Sequence, residues 1–282
     1  MPFKFPWQKY PESDSCHLAL FGYDPKKYYL GRGPYEAAGI GLKLKKGDIA
    51  LRVNFATVDS HLKVVDRRAG RISETSSLIK AISGQKIEGI KFLIKKSYGH
   101  RAVLVLRGQN LSKEISDGDP KKIGVKIKKI VVRKNNRFFW RQELKRAKFT
   151  ANVLNKFLEE THQILKNHPL NKKRIKEKKL PANYLLVRGA GKFKKIPSLY
   201  QKYKIKSCCI AGGALYKGIA KILGMKIIKV RGANGFVNTN LKGKFEGIKK
   251  TLKKYDFVFC HIKAADNLAE DGNFLGKKEF IE

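Results

Sequence analysis

Phe257, Val258 and Phe259 follow one another without a polar residue between them. A run this short and this uniformly apolar reads as a strand buried on both faces, the pattern of a parallel sheet layered between helices. Beyond Ile262 the character changes, to Lys263, Asp266, Glu270 and Asp271, and the stretch closes on Gly272. Folds of the α/β class carry their ligands at the carboxyl edge of such strands. On a helix, Asp266 and Glu270 would share a face, and a pair of carboxylates suits a hard divalent cation. A solvated acidic turn has the same spacing, and spacing alone favours that plainer reading.

The segment KSCCIAGGALYKGIAKILGMKIIKV points to the same class, as strand, Gly-Gly turn, helix and strand in succession. Gly212 and Gly213 permit close backbone approach, and the helix that follows offers free N–H groups to an anion. Leu215, Ile219, Ile222 and Leu223 make its buried side. Lys217 lies near the positive end of that helix, where a cation is disfavoured, which argues for a task beyond packing.

The chain has 282 residues, enough for two domains or one with a large insertion, and 42% of them are hydrophobic. No run approaches the ~18 apolar residues of a membrane span. The opening MPFKFPWQKYPESD has no apolar signal-peptide core, so a cytoplasmic protein is expected. Cys16, Cys208, Cys209 and Cys260 form no CxxC pair and are expected to stay reduced. The formal charge is +39, from 62 Lys and Arg against 23 Asp and Glu. Such a field draws polyanions. The lysines are spread over the whole chain, however, and no nucleic-acid motif accompanies them. Attraction of a small phosphorylated substrate is the simpler use of the charge.

Along the chain, SDSCH places Ser13, Asp14 and His17 within about one helical turn. Ser13 reads as an N-cap or as a nucleophile, which at neutral pH needs a base such as His17, or a metal, to activate it. Residues 47–132 are β-rich, with KIGVKIKKIVV among the strands. DRRAGR supplies Arg67, Arg68 and Arg71, whose guanidinium forks suit phosphate and carboxylate. His100, Arg101 and Arg107 flank an apolar strand, and SDGDP, with Asp117 and Asp119, reads as a polar turn. Each of these cations could equally be a solvated surface charge. A helical period starts at Thr150, a candidate cap, and runs through Val153, Leu154, Phe157, Leu158, Ile164 and Leu165, with His162 on its flank. HPLNKKRIKEKKLP reads as an exposed linker. PANYLLVRGAGKF reads as a strand ending in a glycine-rich turn with Arg188 and, just beyond, Lys192.

Several blocks in this order, GYDP, YYLGRGPYEAAG, GDIALRVNFATVD, DRRAGRI, GHRAVLVLRG, SDGDPKKIGVKIK, PANYLLVRGAG, CCIAGGALYKGIAKILGM and HIKAADNLAEDG, resemble the archaeal-type 2,3-bisphosphoglycerate-independent phosphoglycerate mutases, relatives of alkaline phosphatase. The resemblance extends over essentially the whole chain. It implies an α/β fold in which an alkaline-phosphatase-like core, residues 1–44 and 179–282, is interrupted by a smaller inserted α/β domain, 45–178, ending in a basic hinge. The implied reaction interconverts 2-phosphoglycerate and 3-phosphoglycerate, in glycolysis and gluconeogenesis, through a phosphoserine. Ser13 matches the nucleophile and a metal ligand. Asp266 matches a second ligand of Mn or Mg, and Glu270 stands where the family has a histidine ligand. Arg67, Arg68, Arg71, His100, Arg101, Arg188 and Lys217 match substrate-binding positions. Lys121 stands at a position that is usually histidine, and RGANG replaces PGATG, which leaves Arg231 unexplained.

The family carries a metal-binding Asp-Gly strand ahead of the serine and an Asp-His segment near its end. Neither motif occurs in these residues. The expectation is a core and a metal site incomplete at both ends, active only when separate polypeptides complete them. A degenerate relative that keeps phosphate or glycerate binding, and a basic nucleic-acid-binding protein, are the competing readings.

Overall fold

The computed structural model describes residues 12–133 and 141–282; the reading of the first eleven residues as no signal peptide lies outside them. The chain divides into two compact units, Leu30–Lys194 and a second one built from the residues up to Tyr29 together with Lys195–Glu282. Both mix helix and strand, as the α/β reading expects.

The second unit opens with α1 (Ser13–Leu20) and α2 (Pro25–Tyr28), the latter capped by the Asp24 carboxylate. The cap of α1 is Glu12, with no side-chain bond to the helix, so Ser13 is the first helical residue and not the N-cap.

In Leu30–Lys194, α3 (Arg32–Gly39) precedes β1 (Ile49–Val58), the central strand of an antiparallel sheet. β2 (Val64–Asp66) pairs with the end of β1. After α4 (Ser76–Ile82) come β3 (Lys86–Ile87), β4 (Ile90–Lys96) and β5 (Arg101–Arg107), and the order outward from β1 is β5, β4, β3. The long helix α5 (Arg141–Asn167) and α6 (Pro169–Lys176) lead to β6 (Tyr184–Lys192), which covers the other side of β1. The two-residue period sorts β1 cleanly. Ile49, Leu51, Val53 and Phe55 join Leu104, Leu106 and Phe92 in the main core with Leu154 and Phe157 of α5. Phe92 stacks on Phe157 at 4.2 Å between ring centroids. Each side chain so buried contributes about 1.5–3 kcal/mol.

The opposite face carries Ala50, Val103 and Val105, covered by Ala37 of α3. That contact depends on Gly33, where a Cβ would lie 1.9 Å from the Ala50 carbonyl oxygen. The absent side chain lets the helix rest directly on the backbone of β1.

Four local expectations change. Thr150 lies inside α5 and is buried; its hydroxyl donates to the Arg146 carbonyl at 2.8 Å and accepts the Ser112 N–H at 2.9 Å, a tertiary tie and not a cap. The basic segment after α5 is no linker. His168 caps α6 through Nδ1, and buried Asn171 bonds to the Leu165 and Ala182 carbonyls. KIGVKIKKIVV forms no ladder, only the bridges Lys63↔Lys126 and Ile115↔Val132, and it leaves Ile123 and Val125 exposed around Gly124 at φ +72°. RGAG does not end its strand. The partner of Ala50 is Gly191 and that of Arg52 is Arg188, so β6 carries one extra residue, with Gly189 at φ +65°. This is a β-bulge of the kind that places glycine in the left-handed region and redirects neighbouring side chains.

In the unit containing Lys195–Glu282, α7 (Leu199–Tyr203) starts at a Ser198–Gln201 capping box. A parallel sheet follows in the order β8 (Lys226–Ile227), β7 (Ser207–Ala211), β9 (Phe257–His261). β7 is buried throughout and holds the free thiols of Cys208 and Cys209. α8 (Ala214–Ile222) and α9 (Leu241–Thr251) pack against β7, and α1 packs on α8. Past β9 the chain forms α10 (Ala264–Glu270), which places Asp266 and Glu270 on one helix, and α11 (Phe274–Ile281). No helix among the described residues is long and apolar enough to cross a membrane.

Candidate functional site

On the α3 face of the large sheet the apolar cover gives way to arginine. Arg52 of β1 stands opposite Arg188 of β6, and Asn54 stands opposite Arg101 of β5. Directly paired residues project from the same face, so the register gathers Arg52, Asn54, Arg101 and Arg188. From above, α3 adds Arg32 and Glu36: Arg32 Nε donates to Glu36 Oε1 at 3.2 Å, and Arg52 Nη1 lies 4.0 Å from the same oxygen. From the side, Arg67 grips Asp119 with both ends of its fork, Nε to Oδ1 at 3.1 Å and Nη2 to Oδ2 at 2.6 Å. Arg188 Nη1 is 3.9 Å from Asp119 Oδ2.

Burial opposes the charge on Asp119, but the Arg67 hydrogen bonds, the Lys121 N–H and the charges of Arg67 and Arg188 outweigh it and hold the carboxyl below its usual range. The cations face the reverse situation. Burial, helped by Arg188, Arg101 and Arg32, brings Arg52 down to about 9 against the pull of Glu36. Burial also lowers Arg188, with Arg67, Arg32 and Arg101 adding to the effect. Five guanidinium groups, those of Arg32, Arg52, Arg67, Arg101 and Arg188, thus share two carboxylates, Glu36 and Asp119. Two buried polar atoms on β1, Arg52 Nε and Asn54 Oδ1, have no hydrogen-bond partner. His100 adds no charge at neutral pH, because burial and the nearby Arg101, Arg68 and Arg52 bring its pKa down to about 4. A half-buried cluster with surplus guanidinium and a buried donor, Arg52 Nε, that has no partner among the described residues suits an anion.

Of the residues singled out in the sequence, Arg67, Arg101, Arg188 and His100 meet here, and Arg68 reaches the cluster through its charge on His100. Arg71 does not join them. It is exposed in a left-handed turn at φ +59° and has no hydrogen bond or ion pair to another described residue. Sequence reasoning passed over Arg32, Glu36 and Arg52, and it took Asp119 for part of a turn. The available signal was Arg52 itself, a lone charge inside the apolar strand IALRVNFATV.

Ser13 belongs to the other unit. Asp14 beside it is fully buried, accepts the Tyr29 hydroxyl on Oδ2 at 2.6 Å and leaves Oδ1 without a partner. His17 turns Nδ1 back to the Ser13 carbonyl oxygen at 2.5 Å. Its ring lies 5.1 Å from that of Tyr216 and 5.7 Å from that of His261, which brings α1 to the carboxyl ends of α8's preceding strand and of β9. His261 stacks on Tyr216 and is brought down to about 3 by burial and by the charges of His17, Lys263 and Lys244. Lys217 is lowered by burial and by Lys221, against an opposing pull from Cys209, and buried Lys244 donates to the His261 carbonyl at 3.1 Å. Asp266 is ion-paired with Lys263, and Glu270 is exposed. No group of three or more His, Cys, Asp or Glu side chains placed to hold a metal occurs among the described residues. The donors among the described residues do not make a metal shell.

The sequence model of the family described as 2,3-bisphosphoglycerate-independent phosphoglycerate mutase matches residues 4–171. Mutases of that name from Methanococcus aeolicus and Methanocaldococcus jannaschii are each 48% identical to this chain, over 272 and 274 residues. One from Archaeoglobus fulgidus is 47% identical over 277 residues. Each match takes in 96% of this chain but only 65% or 66% of the relative, so the chain spans just under two thirds of their length. Among solved structures, the cofactor-independent phosphoglycerate mutase of Thermoplasma acidophilum is 37% identical with a TM-score of 0.65, and the match covers 96% of this chain and 67% of that one. A Pyrococcus horikoshii protein is 32% identical with a TM-score of 0.76, over 96% and 61%. With more than half of its residues matched by the family's own sequence model, the chain belongs to the 2,3-bisphosphoglycerate-independent phosphoglycerate mutase family.

Proposed function

We propose that this chain works in the interconversion of 2-phosphoglycerate and 3-phosphoglycerate. The observation that carries the reading is the surplus of guanidinium over carboxylate around Arg52, on a face where the buried donor Arg52 Nε lacks a partner among the described residues. A small molecule bearing a phosphate and a carboxylate offers the two anionic groups that such forks hold in pairs. Arg67, Arg101 and Arg188 bind it, and Arg52 and His100 line the site; Lys217, in the other unit, is proposed as a further phosphate contact by the family likeness alone.

Ser13 is the proposed phosphoryl acceptor. An Oγ–P bond forms as the ester P–O bond breaks, and the serine proton passes to the departing hydroxyl oxygen. The glycerate turns over, its other hydroxyl attacks the phosphoserine, and the proton returns to Ser13. Mn or Mg at Ser13, Asp266 and Glu270 needs donors that the described residues do not bring together. Turnover therefore calls for donors from the part of the family's length that these residues do not span.

Titration of the purified chain with 3-phosphoglycerate tests the first half of the reading. Saturable binding that weakens about tenfold or more in Arg188→Ala is expected, from loss of one charge-assisted contact. Binding that Arg188→Ala leaves unchanged refutes it. Label transferred from the substrate phosphate to Ser13, absent in Ser13→Ala, tests the second half.

A further inference from the structure

Asn54 brings a neutral amide into the arginine cluster. Its neighbours along β1, Val53 and Phe55, belong to the core, so its own side chain takes the opposite face of the strand. It pairs with Arg101 on β5 and with Leu186 on β6, and it is only 6% exposed. Nδ2 donates to the Arg67 carbonyl at 3.4 Å. A carbonyl oxygen can only accept, so the amide nitrogen is the end that faces Arg67 and the oxygen is the other. That oxygen, Oδ1, is closed off from solvent and receives no hydrogen bond from any described residue.

An orphaned buried acceptor is rare in a native fold and calls for an explanation. Five guanidinium groups stand in this cluster, yet none donates to Oδ1. Two of them are directed elsewhere, Arg67 to Asp119 and Arg32 to Glu36. The two kinds of group make different demands. Arginine seeks an acceptor, which a phosphate or a carboxylate supplies. Oδ1 seeks a donor, which neither of those supplies once fully ionised. A ligand that answers both carries an O–H beside its anionic groups.

We infer that Asn54 is a specificity-determining residue of the cluster: its Oδ1 accepts the free hydroxyl of a phosphorylated hydroxy acid and so discriminates against phospho-acids that lack one. The inference rests on the reading that the arginines bind a phosphorylated carboxylic acid, and adds the hydroxyl as a third point of recognition. Because Oδ1 is shut from solvent without ligand, the hydroxyl reaches it as the guanidinium groups turn towards the anion. A ligand without the hydroxyl leaves the acceptor buried and unpaired, which is how a site built to bond a hydroxyl rejects the analogue lacking it. Both 2-phosphoglycerate and 3-phosphoglycerate keep one hydroxyl free, so Asn54 favours the two isomers together and does not choose between them.

The test compares two ligands on the full chain by calorimetric titration. One is 3-phosphoglycerate. The other is 3-phosphooxypropanoate, the same skeleton with hydrogen in place of the C2 hydroxyl. The expected result is that the hydroxylated ligand binds about tenfold or more tightly. Both affinities should fall as salt rises, since the arginines serve both ligands, while their ratio holds. Asn54→Leu keeps a side chain of similar size without the acceptor, and should bring the ratio close to one. A merely structural role for Asn54 would weaken the two ligands together and leave the ratio where it was. Should that variant not fold, the ratio on the unaltered chain decides alone. Equal binding of the two ligands, still dependent on Arg188, overturns this proposal and leaves the arginine reading standing. A ratio retained in folded Asn54→Leu also overturns it. Failure of the unaltered chain to bind either ligand refutes the arginine reading, and this one with it.

Discussion

Arg52 and Arg188 face each other directly across β1 and β6, two guanidinium groups paired in register with the nearest carboxylates belonging to Glu36 and Asp119. Like charges opposed on a sheet destabilise it, and burial of Arg52 adds to the cost. An anion between them would reverse the sign of that interaction. Arg52→Met should therefore leave the ligand-free protein as stable as before or stabilise it by about 1 kcal/mol, a rise of roughly 2–4 °C. If the proposed site binds 3-phosphoglycerate, the ligand should stabilise the parent, and the same variant should lose most of that stabilisation. Differential scanning calorimetry with and without ligand reads both. A variant that melts well below the parent without ligand would mean that Arg52 is part of the framework and not held for a guest.

His100 provides a pH signature of the same cluster. Its folded pKa of about 4 lies below the ordinary histidine value, so between those two values the unfolded chain binds the extra proton. Stability falls as pH drops through that window and is unaffected by this group above it. His100→Gln should flatten the acid limb of a stability–pH curve between pH ~6.5 and pH ~4. A bound phosphate would offset the charges of Arg101, Arg68 and Arg52, raising the His100 titration midpoint. Imidazole shifts followed by NMR with and without inorganic phosphate test this; an unmoved midpoint would place the anion elsewhere.

Asp119 behaves in the opposite sense. Its folded pKa lies below the unfolded value, so its contribution is complete above ordinary carboxylate pKa values and disappears as pH falls through the folded one. The carboxylate is buried and answers two arginines. Asp119→Asn leaves Arg67 and Arg188 without their counter-ion, which for a buried pair costs about 3–5 kcal/mol. Urea denaturation should show a loss of that order at neutral pH, shrinking in acid as the parent's own lowered carboxyl protonates. A loss below ~1 kcal/mol would show that the pair behaves as an exposed one.

Local periodicity was enough to read the strand, Gly-Gly turn and helix around Gly212 and the strand at Phe257, because each is specified by neighbours in sequence, whereas Asp266 and Glu270, favoured as an acidic turn on spacing, lie on the helix α10. The cluster around Arg52 could not be read that way. Its members come from α3, three strands and two loops, and only strand register and the bulge at Gly189 decide that Arg188 faces Arg52 and not the core. Asp119 looked like turn chemistry because Asp-Gly-Asp-Pro is turn chemistry; its burial follows from Arg67, far off in the chain. Thr150 looked like a cap because the helical period becomes apolar there, although the helix has begun by Arg141 on a polar face that packing leaves in solvent. KIGVKIKKIVV had the alternation of a strand and lacked a partner to pair with along its length.

Gly33 links the fold to the site. α3 can set Arg32 and Glu36 over Arg52 only because it lies on the bare backbone of β1, and a methyl group at position 33 would fall 1.9 Å from the Ala50 oxygen and 2.3 Å from its carbonyl carbon. Neither atom can yield, since Ala50 is paired on both sides, to Val105 and to Gly191. Gly33→Ala must therefore lift the helix, opening the contact of Ala37 with Val103 and Val105. Overpacking of this kind costs about 1–3 kcal/mol, against the gain of ~1 kcal/mol that alanine usually brings over glycine in a helix. The melting temperature should fall by several degrees, and the Arg32–Glu36 pair should move away from Arg52. Without the Glu36 charge nearby, the repulsion of Arg52 by Arg188 and Arg101 loses its offset, so 3-phosphoglycerate affinity should change along with stability. Gly33→Ala that raises the melting temperature, as helix propensity alone would dictate, would show that α3 does not need this close approach.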